Sequence, residues 1–165
     1  CSGSACTLTC DNGWGDCDGS GGTGCETNLN TFSAHAQCLN IEDLGEIDGD
    51  ISPSQQIVRS GYGEAFFRVR IDEESGSSIY VSATVVLESP PGFDYDLRVY
   101  RGSCGANVST SSSASSIDFV ETCAPDGWGR EDGYELWIEV TFYSGRGCAP
   151  WTLTIAGNTL VEACE

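Results

Sequence analysis

The sequence predicts an all-β protein: an antiparallel β-sandwich with a disulfide-rich, loop-dominated head at its N-terminal end. Three observations predict it. From residue 41 onward, short runs rich in β-branched and alternating residues recur at spacings of about ten residues, with turn residues between them. Almost no stretch has a helical period, which points away from mixed architectures. Six of the ten cysteines fall within the first forty residues. The chain divides accordingly into a head, residues 1–40, and a sandwich, residues 41–165.

The head holds Cys1, Cys6, Cys10, Cys17, Cys25 and Cys38. Its central stretch, Cys10 to Glu26, packs three Asp, one Glu, three Cys and six Gly around a single aromatic residue. Such a segment buries almost no apolar surface, so cross-links and a cation must hold its shape. Asp16, Asp18 and Ser20 alternate and Gly21 follows, which is the opening of a calcium loop. Glu26 then arrives one residue earlier than the usual bidentate Glu. The metal-ligand set predicted here is Asp16, Asp18, Ser20 and Glu26, with Asp11 in reserve and calcium as the ion. The competing reading is an acidic, disulfide-stapled turn without an ion. One helical turn is expected around residues 32–38.

The sandwich strands follow in order. Residues 46–51 and 55–59 are short candidates on either side of Pro53. Residues 64–71 alternate apolar and charged from Phe67. Residues 78–88 form a long β-branched run, broken by Pro90, Pro91 and Gly92. Tyr95, Leu97 and Val99 alternate with Asp96, Arg98 and Tyr100. Residues 117–122, 134–143 and 151–155 complete the set. Cys104 and Cys123 bracket a hydroxyl-rich stretch; pairing them would close a loop of about twenty residues, worth about 3 kcal/mol in the chain-entropy model. Asn107 heads a glycosylation sequon, and Ser109, Thr110, Ser111, Ser112 and Ser113 offer hydroxyls for O-linked sugar. The bland alternative is a flexible or edge-strand loop.

Charge and cysteine chemistry narrow the functional classes. The net charge is −18, and all seven basic residues are Arg. A field of that sign repels nucleic acid and anionic membranes and attracts divalent cations. Without Lys, no Lys–Asn isopeptide cross-link is available, so disulfides must do that work. The even count of ten Cys, which adds Cys104, Cys123, Cys148 and Cys164 to the head's six, comes with no Cys-x-x-Cys pair. Disulfides in an oxidising extracellular or periplasmic setting are therefore expected, rather than zinc. No apolar run approaches a membrane span. The absence of Met suggests a processed protein or a fragment. Lipidation of Cys1 would leave one orphan thiol, whereas Cys1 and Cys164 in disulfides would tie down the ends.

Other residues carry weaker signals. Asp94 and Asp96 lie two apart on one strand face, a candidate second metal pair or a solvated edge. Asp48 and Asp50 read as a turn. Trp137 and Trp151 sit within strand patterns and read as packing. Trp14 and Trp128 sit in Gly-Trp-Gly turns and are candidate contacts for a carbohydrate or protein ligand. His35 is the only histidine and has no nucleophile motif near it. No Gly-x-Ser-x-Gly, His-Glu-x-x-His, phosphate loop or nucleotide fingerprint occurs. A non-enzymatic protein is expected.

Two resemblances add to this reading. Cys10, Gly13, Asp16-Cys17-Asp18 and Gly24-Cys25-Glu26 resemble short acidic Cys-Gly segments of secreted and surface proteins from deltaproteobacteria, myxobacteria among them. That likeness implies an extracellular bacterial protein. The ordered series Gly63 to Val69, Val81 to Leu87, Phe93 to Tyr100, Tyr134 to Val140 and Trp151 to Ile155 resembles the pre-peptidase C-terminal domain over residues 44–157. This second likeness implies a jelly-roll-like sandwich with an accessory binding or stabilising role. The extra Cys104, Cys123 and Cys148 set the chain apart from that family.

Together these observations imply a secreted, calcium-stabilised module for binding or assembly at a bacterial cell surface, its partners an extracellular protein, a carbohydrate or copies of itself. The alternatives are a subunit of an extracellular, glycosylated filament and an accessory domain released from a secreted hydrolase.

Overall fold

The structure, a computed structural model, describes residues 8–20, 22–30, 41–50, 53–73, 80–112, 116–127 and 132–158. Cys1, Cys6, Gly21, Cys38, Ser113, Trp128, Cys164, His35 and the expected helical turn lie outside the described residues.

Within them the protein is all-β, and its strands form a sandwich. A minimal hairpin pairs β1 (Trp14–Gly15) with β2 (Thr27–Asn28). Then follow β3 (Glu42–Asp48), β4 (Gln56–Gly61), β5 (Ala65–Asp72), β6 (Tyr80–Glu88), β7 (Asp94–Arg101), β8 (Val108–Ser111), β9 (Ile117–Pro125), β10 (Tyr134–Ser144) and β11 (Trp151–Gly157). One sheet runs β3-β5-β10-β7-β8 and the other β4-β11-β6-β9. The alternation read in β7 has its physical outcome here: Tyr95, Leu97 and Val99 are buried, while Asp94, Asp96 and Arg98 stay half-exposed.

The core lies between the sheets. Val69, Ile71, Leu97, Leu136, Ile138 and Val140 of the five-stranded sheet belong to one buried cluster with Val81, Val85, Leu87, Leu153 and Ile155 of the four-stranded sheet. Polar tips inside it are paired. The Trp151 indole N–H donates to the Gly63 carbonyl at 2.7 Å, and the Gly63 N–H donates to the Tyr95 hydroxyl at 3.2 Å. Trp137 lies on the outer face beside Phe66, with the Arg68 guanidinium 5.9 Å from its ring centre.

One strand departs from the sequence reading. The strand expected over residues 46–51 starts at Glu42 and pairs in parallel with β5, with a register shift between Asp43 and Glu46. Its parallel sense follows from the route of the chain, which crosses through β4 in the opposite sheet before returning as β5. Of the alternatives read for the hydroxyl-rich stretch, the edge strand is the one formed: β8 runs along β7. The left-handed backbone at Asn107 (φ 45) turns the chain into it.

The head is built onto the sandwich. Cys10 pairs with Cys25 inside the head, and Cys17 reaches across to Cys148. Cys104 and Cys123 are each disulfide-bonded. Leu29, 1 % exposed, belongs to the sandwich core cluster. Gly15 must be glycine, because a Cβ there would sit 2.7 Å from the Cys148 sulfur and press into the Gly147 backbone. Leu29→Ala is expected to cost about 2–5 kcal/mol in urea unfolding, as for a fully buried core leucine. A loss below about 1 kcal/mol would show that the head does not share the core.

Candidate metal centre

The turn that closes the β1–β2 hairpin gathers three carboxylates. Oxygen atoms of Asp16, Asp18 and Glu26 all lie within 4.8 Å of one another. The backbone arranges them. Glu26 Oε1 accepts the N–H groups of Cys17 at 2.8 Å and Asp18 at 3.3 Å, and the Thr27 hydroxyl at 3.2 Å. Asp18 Oδ1 accepts the Ser20 N–H at 2.7 Å and the Thr23 hydroxyl at 3.1 Å. The Ser20 carbonyl closes the turn by accepting the Thr23 N–H at 3.0 Å and the Gly24 N–H at 3.3 Å. Gly19 and Gly24 take left-handed φ of +68° and +79° with open space around them, which such a tight return requires.

Asp16 is the unbalanced member. Its Oδ1 is buried without a hydrogen-bond partner. Desolvation first, then Asp18 and the charge of Glu26, hold its pKa above the ordinary carboxylate value. Asp18 is held below its ordinary value, chiefly by the Ser20 N–H. Glu26 is also lowered, first by its own backbone N–H and then by that of Cys17. Two carboxylates thus stay ionised against a third with an orphaned oxygen, a donor set that suits a hard divalent cation. Asp11 stands apart from this group; its backbone carbonyl accepts the Trp14 N–H at 3.1 Å.

The other sites expected from sequence are placed as follows. Asp94 and Asp96 share a face of β7 but join no carboxylate group of metal-binding spacing among the described residues. Burial foremost pushes both pKa values up, with Asp118 adding to each. Asp118 is buried and accepts the Ser111 hydroxyl at 2.6 Å, so that serine's hydroxyl is already engaged. Ser109, Thr110 and Ser112 are exposed, as is Asn107, whose Nδ2 donates to the Arg101 carbonyl at 3.5 Å. Trp14 is exposed on the hairpin.

A second carboxylate group, Glu73, Asp126 and Asp132, was not read from the sequence. It forms where the ends of β5, β9 and β10 converge, and its members lie too far apart in sequence to show a spacing. Asp132 donates its N–H to Glu73 Oε2 at 2.7 Å and accepts the N–H of Gly127.

No known family profile matches the chain, and no curated protein does. Among solved structures, the chain is similar to the pre-peptidase C-terminal domain of collagenase from Bacillus anthracis. That match has a TM-score of 0.43 and 11 % identity, and covers 70 % of this chain and 93 % of that one. The chain is also similar to PliG of Aeromonas hydrophila, a periplasmic inhibitor of g-type lysozyme. There the TM-score is 0.35 and the identity 12 %, over 70 % of this chain and 97 % of that one.

The raised Asp16 sets the pH dependence. Its folded pKa lies above that of an unfolded Asp, so acidification protonates it in the folded loop first and relieves repulsion. A cation bound there would compete with that proton. Calcium affinity, followed by isothermal titration, is expected to fall as pH drops through the raised value, by up to about tenfold per pH unit for one displaced proton. Asp16→Asn is expected to weaken calcium binding at least about tenfold, while melting no lower than the parent in chelator.

Proposed function

We propose that this chain is a non-enzymatic module of the bacterial cell exterior, fixed in its N-terminal loop by calcium and acting through binding or assembly at the cell surface. The observation that carries the calcium reading is an unpartnered, buried oxygen on Asp16, a residue whose carboxylate is grouped with those of Asp18 and Glu26. A cation there would neutralise local repulsion that the backbone N–H donors leave uncompensated. It would also lock the hairpin that Cys17–Cys148 ties to the sandwich. The disulfides support an oxidising, extracellular address.

A second reading, a filament subunit, draws on the outer face of the four-stranded sheet. Val58, Thr154, Val86 and Phe119 stand in register across it, with Val58 52 % and Phe119 59 % exposed. A row of this kind, apolar except at Thr154, suits contact with another copy. Sedimentation of purified protein from dilute to concentrated solution separates the two readings, since a filament subunit grows with concentration and a binding module stays at constant mass.

Thermal melting tests the calcium reading. At a hundredfold excess of calcium over its Kd, binding contributes about 2.7 kcal/mol, and chelation is expected to lower Tm by roughly 5–10 °C. Magnesium at the same concentration is expected to restore less, because it resists the irregular oxygen shell such a loop offers. An unchanged Tm in chelator would leave the head as a disulfide-held acidic turn.

A further inference from the structure

The carboxylate loop makes no use of Trp14, yet the fold holds its backbone in a defined place. The Trp14 backbone N–H donates to the Asp11 carbonyl at 3.1 Å, closing a turn that leaves the residue 41 % exposed. At the far end of β10 the pairing with β7 slips: Phe142 faces Tyr95 and Ser144 faces Asp94, so Tyr143 is the extra residue of a β-bulge. Bulges redirect side chains at sheet margins, and Tyr143 is 68 % exposed.

The two aromatic residues are locked to one another through the backbone. The Gly13 N–H donates to the Gly145 carbonyl at 2.9 Å, and the Gly145 N–H donates to Asn12 Oδ1 at 2.8 Å. Trp14 and Tyr143 consequently line one groove of about 350 Å³ with Asn12, Asn28 and Asn30, over buried Phe142.

The chemistry of this lining is specific. It contains no carboxylate and no cation, on a chain with 25 acidic residues. Asn12 and Asn28 each commit the amide oxygen to a backbone N–H, of Gly145 at 2.8 Å and of Asn30 at 3.0 Å. That fixes the amide planes and leaves their Nδ2 groups as donors. Exposed aromatic rings beside amide donors match a pyranose, whose C–H face packs on a ring while its hydroxyls take hydrogen bonds. An anionic ligand meets the field of a −18 chain. A cationic ligand finds no carboxylate here, and an apolar peptide would leave the Nδ2 groups of the three asparagine amides without partners.

The geometry points to this groove as a binding subsite for a neutral saccharide, with Trp14 and Tyr143 as the stacking surfaces and Asn12 and Asn28 as hydrogen-bond donors. This rests on the binding-module reading and gives that module a ligand class. The groove is also coupled to the carboxylate loop: Trp14 and Asn28 are paired across β1 and β2, and residues 16–26 form the connection between them.

A glycan array carrying neutral and acidic oligosaccharides, probed with the disulfide-intact chain in calcium, tests the inference. Isothermal titration with the neutral oligosaccharide giving the strongest signal would follow. Neutral glycans are expected to bind and acidic ones not. Tyr143→Ala is expected to weaken binding at least about fivefold without moving Tm, since the ring is exposed; Trp14→Ala should do the same. Absence of any neutral-glycan binding, preference for acidic glycans, or binding unaffected by both substitutions would overturn the assignment. Melting in calcium and in chelator, read separately, reports on the cation alone. The saccharide and calcium readings therefore fail independently.

Discussion

Both the carboxylate loop and the aromatic groove depend on one close approach of backbone to backbone. Residues 13–15 lie against residues 145–147, joined by Gly13 N–H to Gly145 and Gly147 N–H to Trp14. The approach is possible because no side chain intervenes at Gly15, and Cys17–Cys148 closes it covalently next door. A head with so little apolar surface of its own borrows order from the end of β10, and Leu29 completes the attachment by entering the sandwich core. The loop has few means of holding a shape other than this anchorage, its own cross-link and its charges.

The charges then act within a fixed frame. Backbone N–H groups hold Asp18 and Glu26 ionised, whereas Asp16 is raised by desolvation and by its two neighbours. That asymmetry is what supports the cation reading over an ordinary acidic turn, in which every carboxylate would point to water. Across the molecule, Glu139 shows the alternative treatment of a buried acid: it accepts the Tyr100 hydroxyl at 2.6 Å and lies 3.8 Å from Arg98, and its presence pushes Tyr100 up to about 12, after desolvation. One acid is satisfied by neighbouring side chains on its sheet, the other is left with an open oxygen.

Local pattern made much of this legible in the sequence. Alternation placed Tyr95, Leu97 and Val99 inward because strand geometry is local, and the spacing of Asp16, Asp18 and Glu26 drew attention to the residues the turn gathers. Whatever depends on distant partners stayed hidden. The parallel pairing of β3 is decided by a crossover through the other sheet, and the group of Glu73, Asp126 and Asp132 arises only where three strands end together. Tyr143 read as the last residue of a regular strand, since a bulge is defined by the register of the neighbour, not by the bulged strand's own residues. The hydroxyl-rich run was legible as a possible edge strand, but only the edge of β7 decides which four of its residues pair.

The bond between Cys17 and Cys148 spans a sequence separation of 131. A chain exported N-terminus first would deliver all six head cysteines to the oxidising side long before Cys148 emerges, so Cys17 would stand among five others able to capture it. Correct maturation therefore demands either delayed oxidation of the head or a catalyst that reshuffles early mispairs. The rate of native disulfide formation should then follow the arrival of β10 and β11 rather than the chemistry of the head itself.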